Sequence, residues 1–362
     1  NPGLFAEYET AVGDRLTMVA GTRVDWTNTG VTDDPAKLQA LGLQQPQSSL
    51  ADILGTSEFD QNFDTWAAFA RGRYELDRDW SLLFALGQGQ RPPSLTELYA
   101  AQPFMFLLQN GLNNVTGDPH LLPERSWQID LGIACEREQL RFGLNGFHAW
   151  VNDYITFENM DVFRAPPFGQ IEQIDLKFVN TDLATFVGFE AYVEYDVTPS
   201  LTPFATIQYV DGRDRTRNGD FATREAWPGS PSYRDYAQDR GFYSGIAGAA
   251  EEPLPGITPL ESRAGLRFQQ GTEDPSWWFE ISARMVADQD QVAASLLEQA
   301  TPGFVVGDIR SAWNFGDQWS CVAGVENFTN EHYRDPLDLR SATGLSVYQP
   351  GVNFYFGTER RY

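Results

Sequence analysis

The side chains with the most evident chemistry are arginines interleaved with aromatic rings in the segment 213–256. Guanidinium groups and aromatic faces together can pair with and stack on an anionic, ring-bearing ligand. A second, apolar cluster beginning at Phe104 could cover such a ligand. These clusters supply the candidate ligand-binding residues, which are Phe104, Met105, Phe106, Trp227, Tyr233, Arg234, Tyr236, Arg240 and Tyr243.

No set of residues points to catalysis. His120, His148 and His332 are scattered, and none stands in an H-E-x-x-H pattern or beside paired cysteines. The chain has 50 Asp+Glu residues, so chance carboxylate pairs are expected and each is weak evidence for acid–base work. With 4 Met and 2 Cys, soft ligands for copper are few. We therefore predict no enzymatic activity, no cofactor and no metal site.

Composition narrows the possible partners. The 26 Lys+Arg residues face 50 Asp+Glu, which gives a formal net charge of -24 over 362 residues. A nucleic-acid-binding surface would be basic, so nucleic acid is excluded as a partner. No run of about 18 apolar residues occurs, so no transmembrane helix is predicted. Cys135 and Cys321 lie far apart and are interpreted as small apolar strand residues.

Apolar and polar residues alternate in about thirteen segments. In one of them Trp127, Ile129 and Leu131 alternate with Gln128 and Asp130. A period of two predicts strands whose two faces meet different environments. In a membrane barrel the charged face meets a wet lumen. The charged residues predicted to line that lumen are Arg23, Arg71, Arg73, Glu190, Glu194, Arg263, Arg267, Glu280 and Arg284.

The connections between the segments alternate in length. Short ones are predicted near 13–14, 77–79, 137–139, 197–200, 270–275 and 316–318, and long ones near 30–59, 92–124, 158–171, 213–256, 288–303 and 331–347. Up-and-down antiparallel strands place all short turns on one side, whereas a Greek-key sandwich has no reason to do so. We predict an all-β, antiparallel, up-and-down transmembrane β-barrel. Single-chain bacterial barrels have even strand counts, so thirteen strands predict a part of a larger barrel.

Several stretches resemble the TonB-dependent outer-membrane receptors. They are RPPSLTELY at 91–99, GDPHLLPE at 117–124 followed by Trp127 and DLG at 130–132, VNDYI at 151–155, GFE at 188–190, GVENFTN at 324–330 with Tyr333, and PGVNFYFG at 350–357. Their order and spacing across residues 80–362 carry the resemblance more than any one of them. The closing strand departs from the family pattern, because Thr358 and Arg360 stand at outward positions where apolar residues are usual.

The resemblance implies a fold and a function for the whole chain. Family barrels have about 22 strands around an N-terminal plug, and neither plug nor TonB-contacting box is recognisable here. Residues 1–362 are therefore expected to be the last thirteen strands of the barrel, in the bacterial outer membrane. Residues 1–30 also lack the basic and apolar pattern of a signal peptide, so we expect a processed chain or a fragment.

The resemblance further implies high-affinity, energy-coupled uptake of a scarce ligand such as a ferric siderophore. The implied partners are outer-membrane lipid, the TonB complex acting through the plug, a small-molecule or metal-chelate ligand, and the barrel-assembly machinery. That machinery would recognise Phe354, Phe356 and Tyr362 at the end of the chain. Two alternatives stay open, a passive porin-like channel and a secreted β-sandwich that binds carbohydrate.

Overall fold

A computed structural model describes residues 2–31, 40, 50–109, 111–164, 172–216, 251–270, 276–316, 318–338 and 346–360. The described chain is almost entirely β-structure. Its strands are β1 (Gly3–Val12), β2 (Leu16–Thr29), β3 (Gln61–Glu75), β4 (Trp80–Arg91), β5 (Ala101–Leu108), β6 (Gly111–Thr116), β7 (Glu124–Arg137), β8 (Leu140–Arg164), β9 (Glu172–Tyr195), β10 (Leu201–Asp214), β11 (Glu252–Pro253), β12 (Glu261–Gln269), β13 (Trp277–Val286), β14 (Phe304–Phe315), β15 (Trp319–Glu326) and β16 (Asn353–Arg360). Short helices are α1 (Leu50–Leu54) and α2 (Leu95–Tyr99), with a 3₁₀ turn at Ala294–Leu296.

Thirteen of these strands form one wall in chain order. The order is β1-β2-β3-β4-β7-β8-β9-β10-β12-β13-β14-β15-β16, and every neighbouring pair along it is antiparallel. This confirms the predicted up-and-down barrel wall. Because the sheet is one continuous path and not two stacked sheets, the β-sandwich alternative is wrong.

Short and long connections alternate along this wall, as predicted. The tight turns are shaped by residues that tolerate a left-handed backbone, with Gly13 at φ 69° and Gly316 at φ 62°. The long connections all start and finish at the opposite end of the strands. In outer-membrane barrels the short turns face the periplasm and the long loops face the outside.

The two faces of the wall differ in chemistry. On one face large apolar side chains stand open, among them Leu131, which is 64% exposed, and Phe354, which is 75% exposed. Water-soluble monomers rarely expose so many large apolar groups together, whereas lipid covers them in a membrane wall. No helix among the described residues is long and apolar enough to cross a bilayer.

The long-loop end contains more strand than the sequence indicated. The β8–β9 ladder continues from Leu140↔Tyr195 as far as Arg164↔Glu172, well beyond the 9–11 residues that span a bilayer. The strands β5 and β6 form a hairpin, and β6 lies parallel to β9. The predicted loops at 92–124 and 158–171 therefore contain ordered β-structure that the alternation pattern did not reveal.

The main apolar core lies among these loops and not inside the wall. Residues of α1, α2, β5, β6, β8, β9 and the 3₁₀ turn pack together, with Leu98, Val115, Leu176 and Leu296 no more than 1% exposed. The barrel wall is a single layer of sheet and has no second layer to pack against. The main apolar core therefore forms where several long connections pack together.

Candidate functional site

The nine predicted lumen residues all lie on the same face of the wall. The strand register shows this, because residues directly opposite each other on neighbouring strands lie on the same face. Arg263 lies opposite Arg284, and Arg267 lies opposite Glu280. Thr206 lies opposite both Tyr192 and Arg263, so β9 and β12 present these residues on one face. Successive side chains along a strand alternate between the two faces. Whether a residue number is odd or even, together with the register to the next strand, therefore fixes the face on which each residue lies. Lipid-facing residues such as Leu131 and Phe354 have the opposite parity.

An ion-pair ladder runs across this polar face. Arg141 on β8 donates to Glu194 on β9 at 2.9 Å, and Arg267 on β12 lies 3.8 Å from the other oxygen of Glu194. Arg267 and Arg263 each donate to Glu280 on β13 at 2.9 Å. Five alternating charges thus connect four strands, and Glu280 is only 6% exposed.

A second ion cluster ties the wall to a long connection. Arg284 on β13 makes a bidentate pair with Glu261 at 2.8 and 2.9 Å, and its third nitrogen donates to Asp335 at 2.9 Å. The same guanidinium lies over the Phe304 ring, 5.2 Å from its centroid. These contacts hold Asp335, within the 331–338 segment, against the end of the barrel wall.

Arg23 on the polar face pairs with Asp25 at 2.6 Å, whereas Arg71, Arg73 and Glu190 carry no ion pair within the described part of the chain. Arg71 and Arg73 line a recess of about 420 Å³ together with Glu9 and Asp130. Glu190 lines a second recess of about 640 Å³, beside Arg263. A wall that keeps unpaired cations and an anion in open recesses can accept polar groups from whatever occupies the barrel interior.

Aromatic rings lie on the polar face as well, and the sequence analysis missed them. In each case a ring lies over a glycine directly opposite on the next strand, where it fills the space that a Cβ would take. The pairs are Gly21 with Phe69, Gly143 with Tyr192, Gly188 with Phe147, Gly265 with Phe204 and Gly324 with Tyr355. The sequence signal for these rings would have been a glycine on one strand with an aromatic residue opposite it on the neighbouring strand. A glycine has no side chain, so the ring can pack directly on its backbone.

Two of the motifs meet at the end of β4. Arg91 donates to Glu97 at 2.8 Å and to Glu124 at 2.7 Å, so it joins the RPPSLTELY and GDPHLLPE stretches. Glu97 also closes a capping box on α2 with Ser94. Burial raises the pKa of Glu97, but the hydrogen bonds from Arg91 and the Ser94 N–H outweigh it. The net pKa therefore lies below its ordinary value of 4.5.

Gly117 allows these two stretches to approach. Its N–H donates to the Ala100 carbonyl at 2.8 Å, and a Cβ at this position would lie 2.6 Å from the Leu98 carbonyl carbon. The next residue, Asp118, pairs with Lys177 of β9 at 2.8 Å. The motif therefore holds the β5–β6 hairpin against the extended β8–β9 hairpin.

The closing motif is organised by Asn327, which adopts φ 50° and is 3% exposed. Its side-chain nitrogen donates to the carbonyls of Glu331 and Pro350, and its side-chain oxygen accepts from the Glu331 N–H. Its own N–H donates to Asp308 on the polar face of β14. One residue thus fixes both ends of the connection from β15 to β16.

The candidate ligand-binding residues divide into three groups. Met105 lies in β5 and packs, half-buried, against the loop core. Phe104 and Phe106 belong to the same strand, but their side chains lie outside the described structure. Trp227, Tyr233, Arg234, Tyr236, Arg240 and Tyr243 fall within 217–250, outside the described residues, as does Tyr362.

Polar side chains also bind the long connections to one another. Gln109, which is 6% exposed, donates to the carbonyls of Gln299 and Pro336 and accepts from the Gln299 N–H. Glu298 accepts from the N–H groups of Ala293 and Gly256. Burial raises the pKa of Glu298 above its ordinary value. Within the described residues, no group of three or more His, Cys, Asp or Glu side chains could hold a metal ion.

Comparison with known families assigns the chain to a protein family. Residues 1–328 match the family described as "TonB dependent receptor-like, beta-barrel". The chain belongs to the TonB-dependent receptors. As a barrel of this family it is an outer-membrane protein, in agreement with the predicted location.

Solved structures of TonB-dependent receptors share the fold. The copper transporter OprC superposes with a TM-score of 0.71 at 19% identity, over 99% of this chain and 47% of OprC. The FrpB iron transporter from Neisseria meningitidis gives 0.62 at 14% identity, over 99% of this chain and 45% of FrpB. The siderophore receptor PirA from Acinetobacter baumannii gives 0.55 at 13% identity, over 99% of this chain and 54% of PirA.

The chain therefore spans about half the length of the solved receptors that it matches. No curated protein sequence matches it. At these identities the solved structures establish the barrel fold, and the ligand is a separate question.

Proposed function

We propose that this receptor takes up a scarce metal chelate, such as a ferric siderophore, across the outer membrane with energy supplied through the TonB complex. The observation that carries the proposal is the family match over residues 1–328. Members of this family are transporters and not enzymes, and we propose no enzymatic activity here. An iron transporter and a siderophore receptor among the structural neighbours support iron as the cargo.

The described wall suits this role. In the proposal, the nine lumen residues face a plug supplied by the rest of the receptor, and Arg71, Arg73 and Glu190 remain available to it. The loop side chains from Phe104 to Phe106, together with the arginines and aromatics of 227–243, contact the chelate outside. The exposed apolar face contacts lipid, and Phe354 and Phe356, which are 75% and 71% exposed, take part with Tyr362 in recognition by the assembly machinery.

Copper is a second cargo to be measured, because OprC is described as a copper transporter. The described residues hold no cluster of metal-ligating side chains, and the whole chain has 4 Met and 2 Cys. Bare copper ions prefer soft sulfur and imidazole ligands. The chain's chemistry thus favours a chelated metal over a bare one.

Uptake measurements test the proposal. A strain lacking the receptor gene is complemented with the full-length gene and given radiolabelled iron as a catecholate, hydroxamate or carboxylate chelate, or radiolabelled copper. Saturable uptake that needs both the receptor and TonB is expected for one iron chelate. Uptake that persists without TonB would support the passive channel instead.

A loop variant adds a site test. Replacing Arg234 and Arg240 together by Ala is expected to raise the concentration for half-maximal uptake about tenfold, since charged hydrogen bonds are lost. The matched control is Arg78→Ala, in a short turn at the opposite end of the wall. Equal effects of the two changes would show that the 227–243 segment does not contact the ligand.

A further inference from the structure

One arginine in the long connections is buried, and two of its three nitrogens have no hydrogen-bond partner among the described residues. Arg334 lies between β15 and β16 and is 8% exposed. Its Nη1 donates to Ser346 Oγ at 2.9 Å. Its Nε and Nη2 atoms are buried and make no hydrogen bond within the part of the chain that the structure describes.

Two carboxylates close to Arg334 in sequence are already engaged. Asp335 pairs with Arg284 at 2.9 Å. Asp338 accepts from the Asp335 N–H at 3.0 Å and from the Gln349 side-chain amide at 2.7 Å. Neither is paired with Arg334, although the chain carries a net charge of -24.

The backbone around Arg334 is held on both sides. The Tyr333 ring packs on Phe304 with centroids 4.1 Å apart, and the Gln349 N–H donates to the Tyr333 carbonyl at 2.9 Å. On the other side, Asp335 is tied to the wall through Arg284. These three contacts hold the backbone on both sides of Arg334, and the Ser346 hydroxyl holds one end of its guanidinium.

An arginine cannot lose its proton in a protein, so burial leaves it charged. A buried charge without a partner is costly, and the cost falls when an anion pairs with it. The Nε and Nη2 atoms form the edge of the guanidinium that binds two oxygens of a carboxylate or phosphate side by side. We propose that Arg334 binds a carboxylate or phosphate group of the imported small molecule.

This inference rests on the proposed function and deepens it by naming the chemical class of the ligand. Its first test needs no transport. The full-length receptor, purified in detergent, is titrated with sodium malonate or inorganic phosphate, and its Tm is compared with that in sodium chloride of equal ionic strength. A saturable rise of Tm is expected for the wild type, since a ligand that binds only the folded state stabilises it.

Three variants make the test specific. Arg334→Gln removes the charge and the fork, and the rise of Tm is expected to disappear. Arg334→Lys keeps a point charge without the fork and is expected to weaken anion affinity about tenfold. Arg125→Gln is the matched control, because Arg125 is an exposed loop-side arginine paired with Asp153, and its response is expected to equal that of the wild type.

Two results would overturn the inference: a wild-type Tm that does not respond to either anion, or an Arg334→Gln receptor that responds like the wild type. If Arg334→Gln does not fold, as judged by lost heat-modifiable mobility, Arg334→Lys decides alone. Failure of the proposed function is separate, since it appears as absent TonB-dependent uptake by the wild type. Anion binding together with absent uptake would sustain the site and reject the transport proposal.

Discussion

At the scale of single residues, the polar face is ordered by a few carboxylates, each of which binds one or more arginines. Glu280 is the clearest case, because Arg263 and Arg267 both donate to it and it is 6% exposed. Removing one member of a buried ionic group leaves its partners charged and unpaired. The arginine side chains are partly exposed, at 27% and 35%, and contact with solvent reduces that cost.

We expect Glu280→Gln to lower the free energy of unfolding by about 1–3 kcal/mol. Urea unfolding of the full-length receptor in detergent micelles measures the change. Asp25→Asn is the matched control, since Asp25 binds an arginine that is itself 60% exposed, and little change is expected there. Equal effects of the two substitutions would show that the ladder around Glu280 adds nothing beyond a surface pair.

Glu97 predicts a pH dependence at the end of β4. Its folded-state pKa is lowered, so its contribution to stability is present above the ordinary value of 4.5 and is lost as pH falls through the folded-state value. Glu97→Gln keeps an amide at the capping position but removes the charge. The Tm difference between wild type and variant is expected to be largest near neutral pH and to shrink in acid. A difference that stays constant with pH would contradict this account.

At the scale of elements, the loop-side hairpins depend on close backbone approach. Gly117 lies where a Cβ would be 2.6 Å from the backbone of α2, and backbone cannot turn aside as a long side chain can. Gly89 in β4 offers the comparison, since its nearest neighbour is the Ser126 hydroxyl at 3.5 Å. Replacement by Ala would therefore cause a steric clash with backbone at Gly117 and only an ordinary van der Waals contact at Gly89.

We expect Gly117→Ala to destabilise the junction of α2 and β6 by about 1–3 kcal/mol, as overpacking does. Gly89→Ala is expected to stay within about 0.5 kcal/mol of the wild type. Limited proteolysis of the folded receptor, followed by mass spectrometry, reports cleavage within 92–124. If both variants were cleaved at the wild-type rate, the close contact at Gly117 would not hold the hairpin.

At the scale of the whole molecule, the wall has two open edges. β1 pairs only with β2 and β16 pairs only with β15 among the described strands. With thirteen alternating strands the two edges run parallel, so they cannot join in an antiparallel ladder. Open edges of long strands favour pairing with other chains.

We therefore expect the 362-residue chain expressed alone to form oligomers or aggregates in detergent, and the full-length receptor to run as a heat-modifiable monomer. Size-exclusion chromatography with light scattering distinguishes these states. A stable monomer of 40.6 kDa from the chain alone would contradict the expectation.

The sequence by itself determined the wall. The alternation of apolar and polar residues in segments such as Trp127–Glu136 predicted the strands. Their period of two predicted that Arg263, Glu280 and the other charges share one face, and the alternating lengths of the connections predicted the up-and-down order. These features are predictable because a strand's faces and a hairpin's register are local properties of the chain.

Only the tertiary structure decided the rest. The β5–β6 hairpin lies on β9, Arg91 binds Glu124, which is 33 residues away in sequence, and Gln109 binds the Pro336 carbonyl, which is 227 residues away. Such contacts depend on which long connections meet in space, and no period in the sequence encodes that meeting. The buried Nε and Nη2 atoms of Arg334 are of the same kind, because the sequence does not show that no described residue accepts a hydrogen bond from them.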